Sequence, residues 1–149
     1  MTPDVPRVLN SVRPEVTAAL MARTGLDDAR LTELVHRFYD RVRGDPLLGP
    51  VFAARITDWG PHLDRMVAFW SSVALMTGRY SGAPVPAHLG LPVGQAHFDR
   101  WLALFRETAR AVCTPVGAEH LIERAERIAR SLRMAIEDQQ RAAGAVPRL

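Results

Sequence analysis

Five histidines stand in the chain, His36, His62, His88, His97 and His120. None pairs with another as HxxxH or HExxH, and there is no CxxC, so a helix-borne zinc site is poorly supported. There is no glycine-rich phosphate loop and no nucleophile elbow. The single cysteine, Cys113, falls near the end of an apolar helical face and reads as a small buried hydrophobe rather than a thiol nucleophile. His88 stands apart from the other imidazoles. Its surroundings, GAPVPAHLGLP (82–92), are too interrupted for a helix and too proline-rich for a central strand. Proline lowers the entropy of such a connector, so this imidazole is held at a fixed reach.

The aromatic residues have an unusual distribution. Phe38 and Tyr39 are adjacent on one helix, so with Phe38 on the apolar stripe Tyr39 turns about 100° away, to its edge. Phe52 ends the segment PLLGPVF. His62, Met66 and Phe69 follow at i, i+4 and i+7 along a second helix, with Trp70 beside them toward the core. Trp101 lies mid-face on a later helix. Each has a plain account when taken singly. The aromatics are core, Tyr39 bonds a backbone carbonyl, His62 is exposed in a first turn, and His88 is a surface loop residue. Taken together they have the parts of a haem pocket. A flat apolar disc needs an aromatic slot between helices and one imidazole nitrogen for its iron. Its other face needs a water-poor pocket with donors such as Tyr O–H, His N–H or Trp N–H for a ligand that takes up partial negative charge. Tyr39, His62 and Trp101 are those donor types.

The elements that must position these residues are helical nearly throughout, because the apolar period is close to 3.6 and no strand-like alternation appears. The pattern predicts a short helix from Pro14 to Thr24, closed by Gly25. A second helix starts at Asp27 or Asp28, carries Leu31, Leu34, Val35, Phe38 and Val42, and stops at Gly44-Asp45-Pro46. The segment PLLGPVF is expected to be a turn. Thr57 or Asp58 caps a third helix, with Pro61 in its first turn and an end by Gly78. A fourth carries Phe98, Trp101, Leu102, Phe105 and Val112. Thr114-Pro115 opens the last, whose buried face includes Leu121, Ile122, Ala125, Ile128, Ala129, Leu132 and Ile136.

At 149 residues the chain has the length of one domain. The expected organisation is an N-terminal extension over 1–25, a domain over 26–141 and a fraying tail over 142–149. All nineteen basic residues are arginine, and they alternate with acids along RAERIARSLRMAIED, so they form a solvated face rather than a nucleic-acid patch. No apolar run reaches the length of a membrane span, and MTPDVPRVLN lacks a signal peptide's apolar region. With a single cysteine, this reads as a cytoplasmic protein with no nucleic-acid or membrane partner.

Four motifs, FYDRVRGDPLLGPVF (38–52), DWGPHLDRMVAFW (58–70), GRYSGAPVPAHLGLP (78–92) and HFDRWLALF (97–105), occur in an order that resembles the truncated haemoglobins, and among them the third group. The resemblance implies an all-α truncated globin. Its two-over-two helical sandwich encloses haem b, and its proximal segment is reduced largely to a loop. It implies His88 as the iron ligand and Tyr39, His62 and Trp101 as the residues on the ligand side. It further implies haem contacts from Phe38, Phe52, Met66, Phe69 and Trp70. Arg55, Arg79 and Tyr80 are the candidates for the haem carboxylates. His97 is a rival ligand. The implied activity is binding of dioxygen, nitric oxide or carbon monoxide, as in oxygen binding or transport. The alternative is a haem enzyme for nitric oxide dioxygenation or peroxide reduction served by an external reductase.

Overall fold

Apolar residues at three- and four-residue steps settle most of the helices. The computed structural model describes residues 10–82 and 84–145, and among these the order is α1 (Pro14–Thr24), α2 (Asp28–Gly44), α3 (Gly49–Arg55), α4 (Trp59–Leu75), α5 (Pro84–His88), α6 (Gln95–Val112) and α7 (Pro115–Ala145). The stripe on α2 is buried as its period requires, Leu31, Leu34, Val35, Phe38 and Val42 all being inaccessible. Asp27 caps that helix by accepting from the Arg30 amide at 2.7 Å. Thr114 caps α7 in the same way, accepting from Gly117 at 3.1 Å.

Helix α2 packs on α4, and α6 packs on α7. Contacts of α2 with α6 and of α4 with α7 join the two pairs. The result is a two-over-two sandwich, as expected. Phe38, Phe105 and Trp70 lie at its centre. Trp70 stacks on Phe105 with centroids 4.8 Å apart, and Phe38 meets Phe105 edge-on at 5.4 Å.

Three elements differ from the sequence reading. PLLGPVF is not a bare turn, because Gly49–Arg55 closes into the helix α3. Proline suits its first turn, where the missing amide would have no partner. Gly49 is required there, since a Cβ would stand 2.8 Å from the Arg43 carbonyl oxygen. The connector 82–92 also contains a helical turn, α5, with His88 as its last residue. Both prolines before His88 fall within that single turn, so neither removes a hydrogen bond that the turn needs. Helix α7 runs on to Ala145, into the tail expected to fray from 142, while 146–149 lie outside the described residues.

The N-terminal helix packs on the domain. Thr17 Oγ1 donates to the Leu75 carbonyl at 2.7 Å and the Val12 amide to Thr77 O at 3.1 Å, at the C-terminal end of α4. Residues 1–9 of the expected extension lie outside the described residues.

Asp45 ties the start of α3 to α6. Its buried carboxylate accepts from the amides of Leu47 and Leu48 at 3.1 and 3.0 Å and from Arg100 Nε at 2.7 Å. Burial opposes the charge, but Arg100 and the two amides outweigh it and hold the carboxyl below its ordinary range. The folded chain therefore binds this proton less tightly than the unfolded one. The stabilisation is complete above the unfolded pKa, about 4, and is lost as pH falls below it. Asp45→Ala is expected to cost about 2–3 kcal/mol at pH 7. Urea unfolding checks this, and the gap to wild type should narrow toward pH 3. An unchanged midpoint at pH 7 would show that the carboxylate contributes nothing net.

Candidate functional site

Between the two helix pairs lies a cavity of about 380 Å³, lined by residues from α2, α3, α4, α5, α6 and α7. That volume is in the range of sites for organic cofactors. Most of its wall is apolar, and five histidine and tyrosine side chains line it: Tyr39, His62, Tyr80, His88 and His97.

The two rival ligands are separated by what their Nδ1 atoms do. His88 Nδ1 lies 2.5 Å from the Pro84 carbonyl oxygen. A carbonyl only accepts, so Nδ1 carries the proton and the Nε2 lone pair is free for a metal. His97 is arranged the other way. Its Nδ1 accepts from the Gly94 amide at 3.1 Å, capping α6, so in the neutral ring Nε2 carries the proton and offers no lone pair. His120 is farther removed: it is buried and its Nε2 lies 2.8 Å from the Ala74 carbonyl oxygen.

Tyr39 enters from α2 and His62 from the first turn of α4. Their rings meet edge-on with centroids 5.2 Å apart. Burial pushes the Tyr39 phenol far above its ordinary range, so the hydroxyl keeps its proton and remains a donor. Among the described residues no hydrogen bond occupies that hydroxyl. His62 Nε2 is buried and likewise has no partner. Burial, then the charges of Arg65 and His88, lower the His62 pKa, so the ring is neutral near pH 7. A buried polar atom without a partner costs stability unless something enters to meet it.

The remaining predicted residues divide clearly. Phe52, Met66, Phe69, Trp70, Tyr80 and Trp101 line the cavity, as does Arg55. Tyr80 stands against Phe69, with centroids 5.2 Å apart, and its amide is held by Ser72 Oγ at 2.8 Å. Gly82 permits this pose, because a Cβ there would collide with the Tyr80 hydroxyl. Two residues fall outside the lining. Phe38 lies one layer behind, packed edge-on against Tyr39 at 5.2 Å and Trp101 at 5.4 Å, and so supports both. Arg79 turns away and pairs with Asp28 at 3.0 Å.

The sequence reading missed other lining residues. Arg65 borders the cavity where Arg79 does not, with no carboxylate within 4.0 Å among the described residues. Ile128 and Leu132, read only as core of the last helix, form part of the wall. Trp59 packs on both Tyr39 and His62, at 5.8 and 5.6 Å, under the Arg43 guanidinium at 4.4 Å. Its spacing of three residues from His62 on one helix was the available signal.

These residues fit a haem. An apolar slot lies between helix layers, with one imidazole lone pair free, His62 Nε2 buried without a partner, the Tyr39 hydroxyl beside it, and Arg65 beside the slot for carboxylates.

Comparison with known proteins agrees with this geometry. The profile of the bacterial-like globins matches residues 20–138. The chain is 33% identical over 109 residues to the group 3 truncated hemoglobin of Campylobacter jejuni, covering 70% of this chain and 86% of that protein. The crystal structure of the group III truncated hemoglobin from Campylobacter jejuni superposes with a TM-score of 0.70 at 31% identity, covering 74% of this chain and 91% of the other. Fold, cavity and sequence thus converge, and the chain belongs to the bacterial-like globins, as a group III truncated haemoglobin.

Proposed function

We propose that this globin binds dioxygen on haem b, with His88 as the iron ligand and Tyr39, His62 and Trp101 as the polar residues of the ligand side. Bound there, haem b supplies a ferrous iron able to take a diatomic gas. The observation that carries the reading is the contrast within one cavity. His88 is held by its Nδ1 so that Nε2 is free, while His62 Nε2 is buried with no partner and the Tyr39 hydroxyl beside it makes no hydrogen bond among the described residues.

The chain's own residues then have distinct tasks. The Pro84 carbonyl fixes the His88 tautomer and the orientation of its ring. The Tyr39 hydroxyl donates toward a ligand that gains negative charge. The hydroxyl is already oriented among Phe38, Phe52, Trp59 and His62, so little reorganisation is needed. The apolar wall of Phe52, Met66 and Phe69 excludes water and strengthens that bond. Arg65 is the cation available to the haem carboxylates, in place of Arg79, while the Arg55 guanidinium faces the Ala87 and Leu89 carbonyls.

No described helix is long and apolar enough to cross a membrane. The half-buried Cys113 has its thiol pushed up to about 11, chiefly by burial, so it is a poor nucleophile. Titrating the chain, stripped of any haem, with haemin tests the reading. One equivalent should give a sharp Soret band and, after reduction, a reversible dioxygen spectrum. A chain that takes up no haemin would end it.

A further inference from the structure

The helix that ends at His88 has only five residues, too few to hold its own shape. What fixes it must come from outside. Helix α5 packs against α7. Two side chains grip the backbone on either side of His88. The Arg55 guanidinium, from the last residue of α3, sends Nη1 to the Ala87 carbonyl oxygen and Nη2 to the Leu89 carbonyl oxygen, each at 3.4 Å. These two carbonyls flank His88 directly. From α7, Gln139 Oε1 accepts from the Gly90 amide at 2.8 Å. Gly90 has φ +84, so the chain reverses there in a conformation that side chains rarely adopt. The imidazole is therefore held at three levels. Pro84 O fixes the ring, Arg55 spans the two neighbouring carbonyls, and Gln139 pins the turn that follows.

We propose that Arg55 and Gln139 are positioning residues, a strap from α3 and a pin from α7 that set the reach and tilt of His88 toward the haem iron. The inference rests on His88 being the iron ligand. A planar guanidinium suits the task because its two arms can meet two acceptors at once, which an ammonium on a single point cannot do in the same way. The strap also joins the two sides of the cavity. Arg55 closes the helix that carries Phe52, which packs on Tyr39 at 5.9 Å, so a shift of α3 reaches both the ligand-side tyrosine and the His88 turn.

The test is the iron–imidazole stretching band of the ferrous, haemin-reconstituted chain by resonance Raman spectroscopy. Arg55→Gln and Gln139→Leu should each move the band to lower frequency and broaden it, since a looser turn weakens the bond from His88 Nδ1 to Pro84 O. Arg55→Lys should also move it, because one ammonium cannot span both carbonyls. Gln139→Glu keeps an acceptor for the Gly90 amide and should leave the band at the wild-type position. A wild-type band in both Arg55→Gln and Gln139→Leu overturns the proposal. So does a wild-type band in Arg55→Lys beside a shifted one in Arg55→Gln, which would mean that Arg55 acts by its charge on a haem carboxylate. His88→Gly, run alongside, should lack the band. If it keeps the band, His88 is not the ligand, and the underlying reading falls together with this one.

Discussion

His88→Gly should release haem at least about a hundredfold faster than wild type, equivalent to about 2.8 kcal/mol at 1.4 kcal/mol per decade. Apoglobin capture of the released haem would measure it. The apolar wall of Phe52, Met66, Phe69 and Trp70 remains, so haem should still enter the slot, but without an axial bond to the chain. The substitution leaves a gap of imidazole size on the wall, and a buried gap of defined shape binds the fragment that fits it. Free imidazole at millimolar concentration should therefore restore a ligated spectrum. Rescue by imidazole separates the loss of a ligand from the loss of the fold. A variant with wild-type haem retention and no response to imidazole would point to another axial residue. His97 is the nearest rival by type, and its commitment to the Gly94 amide argues against it.

Tyr39→Phe should speed dioxygen dissociation by about tenfold to a hundredfold, since a hydrogen bond to a charged partner is worth roughly 1.5–3 kcal/mol. The ring stays in its niche among Phe38, Phe52, Trp59 and His62, so the change removes the hydroxyl and little else. Stopped-flow displacement by carbon monoxide gives the rate. Carbon monoxide itself, which gains less negative charge, should leave only slightly faster. An unaltered dioxygen off-rate would mean that the tyrosine does not donate to the ligand. Because burial keeps the phenol protonated, the wild-type off-rate should show no step from this residue as pH rises through 10.

Much of this was readable in the sequence. The stripe on α2 was legible because a 3.6-residue period with few breaks admits one solution, and the cap at Asp27 marked its start. Tyr39, His62 and His88 were legible because their chemistry is conspicuous in otherwise apolar helices. The departures have specific causes. Prolines in 82–92 and in PLLGPVF were read as breakers, yet a helix one or two turns long consists mostly of first turn, where proline loses nothing. Arg65 was not named, and Arg79 was placed at the haem edge, with Arg55 and Tyr80, by its position in the chain. The partner that draws it away, Asp28, is distant in sequence, and no local pattern reports such a pairing. Trp59 escaped notice because DWGP reads as a capping segment, and its packing on Tyr39 joins two helices. Which imidazole offers a lone pair depends on two backbone groups, Pro84 O and Gly94 N–H, and so belonged to the fold alone.

The helix that precedes the sandwich has a role beyond covering it. Thr17 Oγ1 meets the last carbonyl of α4, and the Val12 amide meets Thr77 O just after it. Helix α4 carries His62 at its other end, so the N-terminal helix braces the element that holds this cavity-lining histidine. Amide protons along α4 should then exchange with solvent together with those of α1, because opening one uncaps the other. The unit that unfolds as one begins upstream of the sandwich itself.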